Sequence, residues 1–215
     1  VGASYAITMI FMSFALGSNV GCSVVISQFF GAKKYSLTKT AINTAYISVL
    51  LLSVILTVVG CIFCRPVLSA LNTPENIFAD SAAYLDIYTY GLVFLLLYNI
   101  CTGIFTSLGD SKSPLFFLII SSVLNIILDL VFVGSFGMGV QGAAWATFIA
   151  QGLASVAAFF VLQRRVKTIE NDGETKLFSM PMFKKICRIS IPSILQNSFV
   201  SVGNLFVQVV VNGFG

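Results

Sequence analysis

The sequence predicts an all-α fold, a polytopic transmembrane helix bundle of about six spans, and three observations carry that prediction. Of 215 residues, 57% are hydrophobic and 9% charged, with a mean hydropathy of +0.96. A water-soluble domain carries about 25% charge because its surface must face water, so this chain resides in lipid. Charge-free stretches near the bilayer requirement of roughly 20 residues recur along it. No segment shows the strict alternation over about 10 residues that marks a barrel strand, which leaves helices as the spanning element.

The spans follow in order. Nothing charged precedes Lys33, giving a first span at about 8–30, and nothing charged lies between Lys39 and Arg65, giving a second at about 41–63. A third lies between Asp86 and Asp110. From Ser113 to Gln163 the only charge is Asp129, and the glycine-rich turn Gly134–Gly139 divides this stretch into spans at about 114–134 and 140–162. A polar linker from Arg164 to Arg188 follows, with the loop-like core Glu170-Asn-Asp-Gly-Glu174, and a sixth span runs from about Ile189 to Val211. Pro192 reads as its helix-start signal, since proline is cheap in a first turn.

Basic residues fix the orientation. Eleven of the twelve fall on alternate loops: Lys33, Lys34, Lys39, Lys112, Arg164, Arg165, Lys167, Lys176, Lys184, Lys185 and Arg188. Only Arg65 lies on the opposite side, so the linker is expected in the cytoplasm and the protein in the cell membrane (plasma or inner) as a multi-pass protein. The chain begins at Val1 without an initiator Met and stops at Gly215 as the sixth span ends, so a piece of a longer membrane protein is expected.

Composition also narrows function. With no His and eight acidic residues, His-based triads and His-ligated metals are excluded, and one lone acid at membrane depth does not equip an enzyme. The net charge of +4 is distributed as membrane flanks and not as a stripe, which argues against nucleic acid as a partner. The sequence implies no organic cofactor.

Asp129 is the sharpest candidate. A carboxylate near mid-membrane costs about 2.5–3.5 kcal/mol on insertion scales, and such residues usually face a cavity. Asn125 lies one turn before it, with Ser121 and Ser122 a turn further back, so a polar stripe marks one face of an apolar helix. An Asn carbonyl and an Asp carboxylate at that spacing can share a proton or offer oxygens to Na+, giving Asp129 and Asn125 as the expected ion ligands. Thr147 supplies a hydroxyl on the neighbouring helix. The bland alternative is an Asp solvated near the outer surface or tying helices together.

Other motifs read as structure. Gly137-Met-Gly139-Val-Gln-Gly142 matches a dinucleotide fingerprint but lacks its strand and its acidic partner, so its glycines are expected to make a tight turn and close packing. Gly17-Ser-Asn-Val-Gly21 allows two helices to approach closely, while Asn19 within it is a candidate for lining a pathway. Cys61-Ile-Phe-Cys64 ends a span, and the cysteines read as small apolar filler. Gln196, Asn197 and Asn204, with Gln208 and Asn212, give the sixth span amides suited to a water-filled cavity.

Several stretches together resemble the multidrug and toxic compound extrusion (MATE) family. They are Ser27-Gln28-Phe-Phe-Gly31-Ala32-Lys33-Lys34, Leu108-Gly109-Asp110-Ser-Lys112-Ser-Pro114, and Leu124-Asn125-Ile-Ile-Leu-Asp129 leading into Gly137–Thr147, in the family's order. The resemblance implies a twelve-helix, two-lobe transporter of which this chain holds helices two to seven. Residues 1–162 would be the N-terminal lobe lacking its first helix, 163–188 the cytoplasmic interlobe linker, and 189–215 the first helix of the C-terminal lobe. It implies secondary active efflux of small organic compounds, cationic ones expected, in exchange for H+ or Na+. Asn125, Asp129 and Thr147 match the family's N-lobe cation site, whose first-helix Asp would lie in the missing part of the transporter. Thr106 stands where many members have Arg. The alternative is a lipid-linked oligosaccharide flippase of the same superfamily.

Overall fold

A computed structural model describes residues 5–70 and 75–214; of the side chains at positions 6, 70, 75, 76 and 204–214 nothing is described. Among the described residues seven α-helices follow one another: α1 (Tyr5–Gly31), α2 (Tyr35–Ala70), α3 (Glu75–Tyr90), α4 (Leu92–Ser107), α5 (Lys112–Asp129), α6 (Gly139–Thr168) and α7 (Met180–Phe214). A π-helical segment, Leu130–Ser135, continues α5. No strand occurs among the described residues.

Hydropathy located the spans because each apolar run must close its backbone hydrogen bonds internally. Helices of membrane length and apolarity cover Ile7–Gly31, Tyr35–Ser69, Lys112–Ser135 and Gly139–Thr168. The expected third span is instead a bent pair, Ile77–Tyr90 and Leu92–Ser107, meeting at 48° around Gly91. Among the described residues, four helices, or five spans with that pair counted as one, have the length and apolarity to cross a membrane. A Cβ at Gly91 would meet the Tyr88 carbonyl at 3.2 Å and the Phe148 ring at 3.3 Å, so glycine lets the bent pair lie against α6.

The expected sixth span, 189–211, lies within a helix, α7, whose side chains from position 204 on lie outside the described residues. Pro192 is not a helix start. The helix begins at Met180, and exposed Lys184, Lys185 and Arg188 form a polar preamble that carries Pro192 several turns into it. The non-helical connector is therefore 169–179, shorter than the expected polar linker.

The core runs through α1, α2 and α4, where Cys22, Val25, Ile26, Ile42, Ile104 and Phe105 are fully buried. The motif Gly17-x-x-x-Gly21 packs as expected. Its partner is α7: a Cβ on Gly17 would lie 2.6 Å from the Ile194 nitrogen, and one on Gly21 would lie 2.9 Å from the Ile186 carbonyl oxygen. Gly137 (φ 65°) and Gly139 (φ 57°) make the tight turn before α6, and Gly142 packs against Phe132.

Long-range polar contacts gather the basic loops at one end of the bundle. Arg165 at the end of α6 pairs with Asp110 of the α4–α5 turn at 3.1 Å, and Asp172 of the connector bonds the first turn of α2. Arg65 pairs with Asp86 at 2.6 Å, joining α2 to α3 away from the basic loops.

Candidate functional site

Helices α5 and α6 position the candidate cation residues. Asn125 on α5 donates from Nδ2 to the Thr147 hydroxyl on α6 at 3.3 Å, and Thr147 in turn donates to the Ala143 carbonyl at 3.0 Å. Asn125 therefore keeps its side-chain carbonyl oxygen for another partner. The pair borders a cleft of about 200 Å³ that also meets Tyr98, Ser121, Ser122 and Gln151.

Asp129 lies one turn further along α5, where a wide neighbouring recess is bordered by Ile126, Val133, Gly134 and Ala143, the residue whose carbonyl accepts from Thr147. The Asp129 Oδ1 is shielded from solvent and has no hydrogen-bond partner, one of two such buried side-chain atoms among the described residues. A bare carboxylate oxygen away from water is costly. Along the helix Asp129 lies between the middle of the Lys112–Ser135 span and its end. At 1.5 Å per residue it is about 9 Å from Ser135, where the π segment ends. That segment begins at the residue after Asp129, and π turns often accompany functional positions.

The amide candidates divide. Asn19 accepts a 2.9 Å hydrogen bond from Ser23 and is pressed against Gly103 of α4, where any Cβ would collide with its side chain. Asn197 donates to its own helix at Ser193, 2.8 Å away, while Gln196 is exposed. The side chain of Asn204 lies outside the described residues. Gln151 and Tyr98 are cleft residues that sequence reasoning missed. Gln151 stands at i+4 from Thr147, so periodicity could have found it, whereas Tyr98 reaches the cleft from α4 through packing alone.

At the basic end, Asp110 accepts from Ser113 Oγ at 2.7 Å and from the backbone amides of Lys112 and Ser113, both at 3.1 Å. The Ser113 hydroxyl is the main reason its carboxyl is held below the usual carboxylate range, with Arg165 adding to the effect.

An all-α bundle of bilayer-length helices lining a small polar cleft defines an integral membrane protein. The sequence pattern of the MatE family matches residues 1–131. The probable multidrug resistance proteins YoeA and YpnP of Bacillus subtilis (strain 168) are each 31% identical, over 100% and 99% of this chain and 48% and 47% of their own lengths. The crystal structure of MATE in the straight conformation superposes with a TM-score of 0.89 at 25% identity, covering 100% of this chain and 48% of that one. The chain thus belongs to the MATE family, whose members are transporters and not enzymes, and it spans about half the length of the curated relatives it matches.

Proposed function

We propose that the chain is the N-terminal lobe (1–162), interlobe linker (163–188) and first C-lobe helix (189–215) of a secondary active multidrug transporter. It exports small organic compounds, with cations the expected class, from the cytoplasm across the cell membrane, in exchange for H+ or Na+. The linker lies on the cytoplasmic side. That its relatives are named multidrug resistance and multidrug export proteins supports this reading over the flippase.

The observation that carries the coupling proposal is the unpartnered, water-shielded Oδ1 of Asp129 beside the Asn125–Thr147 hydrogen bond. Protonation removes the cost of that bare charge, while deprotonation favours an arrangement that brings a donor or water to it. A Na+ ion would use the same Asp129 oxygen and the free Asn125 carbonyl. One charge crossing 100 mV supplies about 2.3 kcal/mol, so an inward cation can drive export without ATP. In this proposal Gln196, Asn197, Asn204 and Asn19 line the substrate cavity, Asn19 only by giving up its packing on Gly103.

The test is antiport by the whole transporter carrying Asp129→Asn, followed as substrate-induced decay of an imposed proton or Na+ gradient. Coupled export should be abolished, and undiminished antiport would sink the role of Asp129. Thr147→Ala should be milder, since it removes one hydroxyl and leaves the charge.

A further inference from the structure

The composition of Glu170-Asn-Asp-Gly-Glu174 suggests slack chain, yet the segment between α6 and α7 is fastened along the first turns of α2. The amide of Lys176 donates to Thr40 Oγ1 at 3.0 Å and that of Ser179 to Thr44 Oγ1 at 3.1 Å, while Asn43 donates to the Lys176 carbonyl at 3.3 Å. Thr40 and Thr44 also donate to the Ser36 and Thr40 carbonyls, at 2.9 and 2.7 Å. Each hydroxyl is thereby oriented with its lone pairs toward the connector. Ser36, Thr40 and Thr44 are buried and stand at i+4 spacing, so they form one docking stripe.

Asp172 makes the charged contact. Its two oxygens accept from the amides of Tyr35 at 3.1 Å and Ser36 at 2.5 Å. These are first-turn donors that no intrahelical carbonyl can satisfy, so Asp172 caps α2 from 136 residues away. Bonding to Ser36 is the main cause that keeps its carboxyl below the usual range.

The last anchor leaves no slack. Ser179 immediately precedes Met180, where α7 begins, and α7 is also seated on Gly17 and Gly21 of α1. We propose that residues 170–179 are a latch, with Asp172 as its positioning residue, that holds α7 on α1 and α2 and must undock in each transport cycle. The proposal rests on the transport reading above: alternating access moves the two lobes as bodies, and α7 cannot swing against α2 while the residue before it is bonded there. Undocked, the connector can extend to about 3.3 Å per residue.

A reversible lock tests this in the whole transporter. A Cβ at Gly173 would lie 3.9 Å from Ser36 Cβ, a disulfide-forming separation, so Ser36→Cys with Gly173→Cys can staple the docked latch while keeping Asp172. In proteoliposomes, oxidation should lower export at least tenfold and dithiothreitol should restore it, with each single cysteine variant near the wild-type rate. Full export by the verified crosslinked protein would overturn the release step. Independently, Asp172→Ala should speed hydrogen exchange of the 174–179 amides about tenfold, with rescue by Asp172→Glu. Unchanged protection would remove Asp172 from the latch. Absence of export by the wild-type transporter would overturn the transport reading and the release step with it, while exchange would still decide whether Asp172 docks the connector.

Discussion

Replacing Gly17 by Ala should destabilise the protein although alanine is the better helix former. The opposing effects can be set side by side. In a helix interior, Gly to Ala gains about 0.8–1 kcal/mol from propensity. At Gly17 the added Cβ would sit 2.6 Å from the Ile194 nitrogen and 2.7 Å from its Cα, both backbone atoms of α7 that no rotamer change can clear. Reaching an ordinary separation of about 3.5 Å requires α1 and α7 to part by almost 1 Å, which forfeits up to about half of the dispersion attraction along that seam. Overpacking of this kind costs about 1–3 kcal/mol, so the net loss is roughly 1 kcal/mol. Gly203 on α7 is the matched control. Among the described residues nothing lies within 4 Å of a Cβ there, so Gly203→Ala should keep its propensity gain. Thermal unfolding of the whole protein in one detergent, read by the fluorescence of a thiol-reactive dye, compares the two. Stabilisation by Gly17→Ala equal to that by Gly203→Ala would refute the close-approach argument.

Further outcomes follow from the same contacts. Because the Asp110 carboxyl is depressed in the folded state, its contribution is present above the ordinary Asp value of about 3.9 and lost as pH falls through the lowered value. Asp110→Asn should therefore be less stable than wild type at neutral pH, with the gap closing under acid; a constant gap from pH 7 to pH 2 would contradict the assignment. Arg65→Gln breaks the 2.6 Å ion pair with Asp86, but the Arg65 side chain is 64% exposed and water screens the pair, so a double-mutant cycle with Asp86→Asn should show little coupling, and a strong coupling would contradict this reading.

Part of this protein was legible before any coordinates. Hydropathy placed the helices, because lipid forces every apolar run to satisfy its own backbone, and the i+4 rule paired Asn125 with Asp129 on α5 and found the α1 glycine seam. The bend at Gly91 was hidden because an unbroken apolar run also fits a straight span. The start of α7 was hidden because its lysines read as loop, although a helix at the membrane surface tolerates them on an exposed face. The polar stripe on α5 was legible from its spacing, but which groups of α6 meet it was not: Asn125 bonds Thr147, and Asp129 borders the neighbouring recess beside Ala143.

The sequence by itself determined membrane residence, the segregation of basic residues to one side, and the chemical kinds of the candidate ligands, all properties that sum over neighbouring residues. Only the tertiary structure decided that Asn125 bonds Thr147, that an Asp129 oxygen is left without a partner, and that Asp172 caps a helix 136 residues earlier in the chain. Those contacts join residues far apart in sequence, and their existence depends on how whole helices pack, which no local sum of hydropathy or charge contains.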